Sequence, residues 1–174
     1  MNMHSQMQMQ RKFLNRILTV DCGLHTGWAL WKGDAFPEVG EFSVPYKIKT
    51  HYEQRNYLAD KFSTLMFLRE KQIVRVYLEG TQSYTSVISR TAIAKGTLFE
   101  LSYLVGRYEQ ICYDNGLVCE IINAPEWKGQ MSKEITAAKI RMINDMDYKS
   151  EHIIDSVGMG FGIVGAFQWE IRKS

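Results

Sequence analysis

The chain has 174 residues, 45% of them hydrophobic, and a formal net charge of +2; that is enough for one compact α/β domain and too apolar for disorder. No apolar run approaches the ~20 residues that cross a bilayer, which excludes a membrane-spanning helix. Cys22, Cys112 and Cys119 are odd in number and lack paired short spacing, which argues against a disulfide framework or zinc knuckle and for a reducing cytosol.

In chain order, residues 1–12 are rich in Met and Gln and carry no apolar core with a cleavage site behind it; they read as a flexible tail ahead of a single domain over 13–174. The apolar run 17–21 ends in Asp21 and is the first expected strand. After a turn at Gly23, 26–31 gives a second, and after Lys32-Gly33-Asp34 a third covers 39–44, closed by Pro45. Short strands at this spacing predict an antiparallel meander. Thr50 then opens a helix, with Glu53 placed for a capping box. Leu58, Phe62, Leu65 and Met66 follow the 3.6-residue period on its core side to about Lys71. A buried strand over 73–78 ends at Glu79-Gly80. The polar stretch 81–90 is a loop or helix approach, and 91–115 is a long helix stopped by Gly116. A strand over 117–122 ends at Asn123-Ala124-Pro125. Ser132 caps a helix running to about Met146, and Ser150 caps the last helix. The order β-β-β-α-β-α-β-α-α predicts an α/β fold, a mixed sheet with helices on its faces.

Two of these strands end in a carboxylate, Asp21 and Glu79. Ligands of open α/β sheets sit in the crevice beyond the strand C-termini. If the two strands are parallel neighbours, their acids lie side by side and need a cation or proton between them. Taken singly, each acid merely starts a turn. The last helix shifts the balance. Gly158, Gly162 and Gly165 form a stripe at i, i+4 and i+7, costing roughly 1 kcal/mol each against Ala; close approach of the helix to the sheet is the expected compensation. Glu151 and Asp155 share that face, and His152 lies one turn before Asp155. Asp155 is therefore expected near the strand ends, where an unpartnered acid is costly and a metal resolves the cost. By spacing alone, His152 is as readily a capping or surface histidine as a ligand. Hard divalent cations take oxygen ligands, and two held about 4 Å apart suit phosphodiester cleavage, one activating water and the other stabilising the leaving oxygen. Lys128, Lys133, Lys139 and Arg141 form a local basic stripe, which charge alone makes a solvated helix face.

Ile17-Leu18-Thr19-Val20-Asp21-Cys22-Gly23, followed by Thr26-Gly27-Trp28-Ala29, resembles the first hairpin of RuvC-like Holliday-junction resolvases, members of the RNase H-like superfamily. Val76-Tyr77-Leu78-Glu79-Gly80 is similar to the strand bearing that family's second acid. Glu151-His152-Ile153-Ile154-Asp155-Ser156-Val157-Gly158 is similar to its closing helix, where two ligands sit three residues apart. Ala124-Pro125-Glu126-Trp127-Lys128-Gly129-Gln130, then Ser132-Lys133, resembles a stretch common in phage-type members, and Lys95-Gly96 fits the helix after the second acid. The resemblance covers about 17–167. It implies an RNase H-like fold with a five-stranded mixed sheet, an antiparallel meander plus two parallel strands, flanked by helices. It further implies cleavage of four-way DNA junctions in recombination, repair or phage DNA processing, by a homodimer using two Mg²⁺ or Mn²⁺ ions per active site. Asp21 would bridge both ions, Glu79 would bind one, and Asp155 and His152 the other. Cys22 stands where many members have Pro, with its side chain expected to point away from that of Asp21. His152 stands where many have Asp, and Glu151 is the alternative fourth ligand.

Under this reading His152 binds metal only when neutral, so activity is expected to fall as pH drops through roughly 6.5, and Mn²⁺ to serve at least as well as Mg²⁺. Lys95, Lys128 and Lys133, on segments entering or leaving strand ends, are expected to contact phosphates, and Tyr84 to stack on an unpaired base. Paired cuts in a two-fold substrate imply the dimer. The expected location is the cytoplasm of a bacterial or phage-infected cell. The Asp-x-Gly-x-x-x-Gly hairpin also occurs in actin-like ATPases and sugar kinases. This chain lacks their second domain and adenosine loop, so no nucleotide cofactor is expected. The rival readings are a nuclease of the same fold acting on RNA or on other branched DNA, and a catalytically inactive junction-binding module. The intact Asp21, Glu79 and Asp155 argue against the latter.

Overall fold

The computed structural model describes residues 15–33, 36–81 and 97–164. Five strands form one sheet in the order β3-β2-β1-β4-β5. β1 (Asn15–Asp21), β2 (His25–Lys32) and β3 (Glu38–Ser43) make the expected antiparallel meander. β4 (Arg75–Glu79) runs parallel to β1 on its other side, and β5 (Val118–Ile122) runs parallel to β4. Parallel neighbours need crossovers. α1 (His51–Arg69) lies between β3 and β4, and α2 (Thr97–Asp114) between β4 and β5. α3 (Ala124–Lys128), α4 (Lys133–Asn144) and α5 (Glu151–Ile163) follow β5. No described helix is long and apolar enough to cross a membrane.

The two-residue alternation of the strands sorts the layers. Leu18 and Val20 of β1, Leu30 of β2, and Val76 and Leu78 of β4 face α1 and α2, where they pack with Leu58, Phe62, Met66, Leu104 and Tyr108. Cys22 belongs to this layer, on the side opposite to Asp21, as expected. Ile17, Ala29, Trp31 and Tyr77 face the other way, onto Trp127 of α3, Ile140 of α4, and Val157, Met159 and Phe161 of α5. Odd-numbered residues of β1 and β4 therefore point into the α5 layer, and the last of them are Asp21 and Glu79.

Local signals explain most element ends. The Thr50 hydroxyl accepts the Glu53 N–H at 3.3 Å and donates to the Glu53 carboxylate at 2.6 Å. The glutamate thus meets the hydroxyl instead of reaching back to the backbone, and only half of the expected capping box forms. A 3-10 turn, Glu70–Gln72, follows α1. Gly116, at φ 67°, ends α2 and lets the Leu117 N–H return to the Cys112 carbonyl at 3.0 Å. Reading Asn123-Ala124-Pro125 as a plain strand end omits α3: Asn123 and Glu126 form a capping box there, and Pro125 lies in the first turn, where its missing N–H costs nothing. Ser132 caps α4 as expected, and α4 stops at Asn144 because Asp145 adopts φ 48°. The expected tail at 1–12 and the first part of the helix expected over 91–115 lie outside the described residues.

Candidate active site

Val20 of β1 and Leu78 of β4 are register partners, so the residues after them, Asp21 and Glu79, emerge side by side at the C-terminal ends of parallel strands. Two features bring α5 onto them. The Thr19 hydroxyl donates to the Ser156 carbonyl at 2.7 Å and accepts from the Trp31 indole N–H at 3.0 Å, fixing the helix backbone to β1 and β2. Gly27 has no side chain, and a Cβ there would overlap the His152 carbonyl. The first turn of α5 therefore rests directly on β2. His152 Nδ1 comes to 2.7 Å from Asp21 Oδ2. Asp155, one turn on, is 8% exposed and faces the Lys128 ammonium at 3.6 Å.

The glycine stripe of α5 does not do what its spacing suggests. A Cβ on Gly158 would press on the Trp127 ring and Ile140, and one on Gly162 would overlap the Trp127 backbone. These glycines admit α3, not the sheet. The close approach to the sheet is made by Gly160, against Trp31, and by Gly27 on the strand itself. Gly165 lies outside the described residues. Ser150 stands at the N-cap of α5 as expected, but its hydroxyl makes no cap hydrogen bond and instead donates to Glu41 of β3.

Burial, reinforced by like charges, dominates the electrostatics. Burial, then the neighbouring Asp21 carboxylate, pushes Glu79 up to about 8, while Lys128 pulls the other way. Burial also raises Asp155, again opposed by Lys128. The hydrogen bond to Asp21 raises His152 above its ordinary value, against partial burial. Each of two acids has a cationic partner, Asp21 the imidazole and Asp155 the ammonium. Among the described residues Glu79 has none, and its buried Oε2 has no hydrogen-bond partner among them.

The other expected contacts divide. Glu151 sits at the rim, exposed and paired with Lys133 at 2.7 Å, with its other oxygen 3.8 Å from His152 Nε2. Lys133 is thus on the surface, beside the site. Lys128 is not a surface lysine: its side chain is only 16% exposed, with the ammonium between Asp155 and the Trp127 ring. Lys95 and Tyr84 lie outside the described residues. Sequence reasoning missed His25, whose ring stacks on His152 at 5.5 Å and 9°. The signal was available, because His25 is an odd position of β2 and shares the α5 face with Gly27, Ala29 and Trp31. It also missed Glu41, which the Ser150 hydroxyl holds below the usual carboxylate range.

Among the described residues no group of three His, Cys, Asp or Glu side chains is gathered tightly enough to enclose a metal ion. The donors are arranged around His152 and Lys128 rather than around one common point. Their chemistry nevertheless fits a hard divalent cation: carboxylates from three elements, one imidazole, and a buried carboxylate oxygen without a partner among the described residues. A cation there would offset both the burial and the Asp21 repulsion that raise Glu79.

No family model and no curated protein matches the sequence. Solved structures do match. The chain is similar to Thermus thermophilus RuvC in complex with Holliday junction substrate, at 12% identity and TM-score 0.65, covering 88% of this chain and 96% of that one. It is also similar to a Thermus thermophilus RuvC structure, at 14% identity and TM-score 0.58, covering 87% and 95%. The five-stranded mixed sheet with its flanking helices is therefore the RNase H-like fold of the RuvC structures.

Proposed function

We propose that this chain is a divalent-metal-dependent endonuclease that cuts phosphodiester bonds in four-way DNA junctions. One observation carries the reading: β1, β4 and α5 deliver Asp21, Glu79 and Asp155 to one side of one sheet end, with a buried Glu79 oxygen unpartnered among the described residues. Three acids crowded there lower stability unless a ligand uses them. The likeness to a RuvC bound to a Holliday junction supports the substrate class. Asp21, Glu79, His152 and Asp155 would hold two Mg²⁺ or Mn²⁺ ions, with Glu151 at the rim as the alternative to His152. Bound there, the ions would supply an activated water and stabilise the leaving oxygen.

The protein's own groups do the rest. His25, stacked on His152, fixes the imidazole plane, and Asp21 fixes its tautomer. Lys128 holds an ammonium within the cluster, where it opposes the upward shift of Glu79 and Asp155 and attracts the scissile phosphate. Lys133 contacts the flanking backbone from the rim. The two-fold symmetry of a four-way junction calls for a homodimer. The free thiols suit the cytoplasm of a bacterial or phage-infected cell.

The test is incubation of the full chain with labelled four-way junction, linear duplex, other branched DNA and RNA–DNA hybrid, with and without Mg²⁺ or Mn²⁺. Asp21→Asn serves as the control for contaminating nuclease. Metal-dependent paired cuts in the junction, lost in the control, are expected. Preferential cutting of the hybrid would reassign the substrate, and junction binding without cutting would make the chain a binding module.

A further inference from the structure

The loop between β3 and α1 contains residues 44–50, Val-Pro-Tyr-Lys-Ile-Lys-Thr. It has two lysines and a tyrosine, and no carboxylate. The loop is built rather than slack. The Val44 N–H donates to the Leu24 carbonyl at 3.0 Å, tying it to the β1–β2 turn just beyond Asp21. The Ile48 N–H donates to the Pro45 carbonyl at 2.9 Å, closing a β-turn with Tyr46 and Lys47 at its tip. The Gln54 side chain donates to the Ile48 carbonyl at 3.1 Å, and Thr50 caps α1 behind it.

On this rigid turn Tyr46 is 90% exposed. Packing gives no account of a large aromatic ring placed there. The Lys49 ammonium lies 3.1 Å from the ring centroid, so the ring and the charge form one unit. The loop also leaves the sheet at the end that holds the acids: Ser43, the last residue of β3, pairs with His25, which stacks on His152. Two strand spacings, about 10 Å, separate β3 from β1. An exposed π-face with an ammonium over it, on a loop whose own residues include a second lysine and no carboxylate, is the arrangement that binds nucleic-acid strands by stacking and backbone charge.

We propose that the β3–α1 loop is a second DNA-binding site, in which Tyr46 stacks on an unpaired base next to the cleavage site while Lys47 and Lys49 hold the flanking phosphates. The assignment rests on the nuclease reading above and gives that site its preference for branched over fully paired DNA.

The experiment uses the full chain carrying Asp21→Asn, so that DNA is not cut. A four-way junction with 2-aminopurine at the branch, and a matched linear duplex, are titrated at several salt concentrations. Adding Tyr46→Ala is expected to weaken junction binding about 5-fold or more, to abolish the fluorescence quenching that stacking produces, and to leave the salt dependence, the duplex affinity and the melting temperature unchanged. Tyr46→Phe, which keeps the ring, retains both binding and quenching. Lys47→Gln with Lys49→Gln flattens the salt dependence by about two units. Parent-like junction affinity and quenching in Tyr46→Ala, or an unchanged salt slope in the double lysine variant, overturns the proposal and leaves the nuclease reading standing. A folded parent that binds no branched DNA rejects the nuclease reading, and this inference with it.

Discussion

His152 Nδ1 lies 2.7 Å from Asp21 Oδ2, joining the first strand to the last helix across the candidate site. This contact bears on the expected pH dependence. The hydrogen bond raises the imidazole above its ordinary 6.5, so the neutral, metal-binding form is reached only at higher pH. Cleavage should therefore fall as pH drops through a value above 6.5. Rate profiles from pH 5.5 to 9 with Mn²⁺ check this. His152→Ala should lower the rate about 10-fold or more and remove that acid limb. The same limb in wild type and variant would exclude His152 as a ligand. The sign for stability is opposite: the protonated pair with Asp21 is fully present below 6.5 and is lost as pH rises through the folded value.

Glu79 makes the metal-free protein sensitive to alkali. Its carboxyl is raised from 4.5 to about 8 by burial and by Asp21. Between those values the folded state holds a proton that the unfolded state has released, so stability falls as pH rises through that window. Thermal melting in EDTA should therefore show a lower midpoint at pH 8 than at pH 5.5. Glu79→Gln should raise the pH 8 midpoint by about 4 °C while abolishing cleavage. Mg²⁺ should raise the wild-type midpoint and leave Glu79→Gln nearly unmoved. A Glu79→Gln protein that melts below wild type at pH 8 would refute the crowding.

Two glycines with opposite surroundings predict opposite outcomes. A methyl group on Gly27 would strike the His152 carbonyl, while one on Gly106 would meet nothing within 4 Å. Gly106→Ala should stabilise the protein by up to about 1 kcal/mol, through helix propensity. Gly27→Ala should cost about 1–3 kcal/mol and should also reduce cleavage, because lifting α5 carries His152 and Asp155 away from Asp21. Denaturant unfolding and single-turnover cleavage measure the two effects separately. A fully active Gly27→Ala protein would show that the seating of α5 on β2 does not matter.

The lysines should separate by position. Lys128 is enclosed beside Asp155, and Lys133 is exposed beside Glu151. Lys128→Ala should depress the cleavage rate more than junction affinity, since it removes a charge from the site and lets Glu79 and Asp155 rise further. Lys133→Ala should weaken binding and flatten its salt dependence by about one unit, with a smaller effect on the rate at saturation. Binding isotherms with Ca²⁺ and rates with Mg²⁺ distinguish them. Equal, purely salt-dependent losses would return Lys128 to the role of a backbone contact.

The sequence by itself determined the order of the strands and of the four longer helices, though not the short α3, and the two acids at strand ends. Both depend on local periodicity: alternation in β1 and β4 places Leu18, Val20, Val76 and Leu78 on one face, and so places Asp21 and Glu79 on the other. It also marked Gly116 and Ser132 as helix boundaries, because turn chirality and capping act within a few residues. Only the tertiary structure decided which surfaces meet. Gly158 and Gly162 look like a contact stripe for the sheet, yet they accept Trp127, and the sheet contact falls to Gly27 and Gly160. Lys128 reads as a solvated charge until α3 folds its ammonium into the acids. Spacing along one helix fixes a side chain's direction but not its partner; the partner follows from the packing of segments far apart in the chain, which periodicity does not encode.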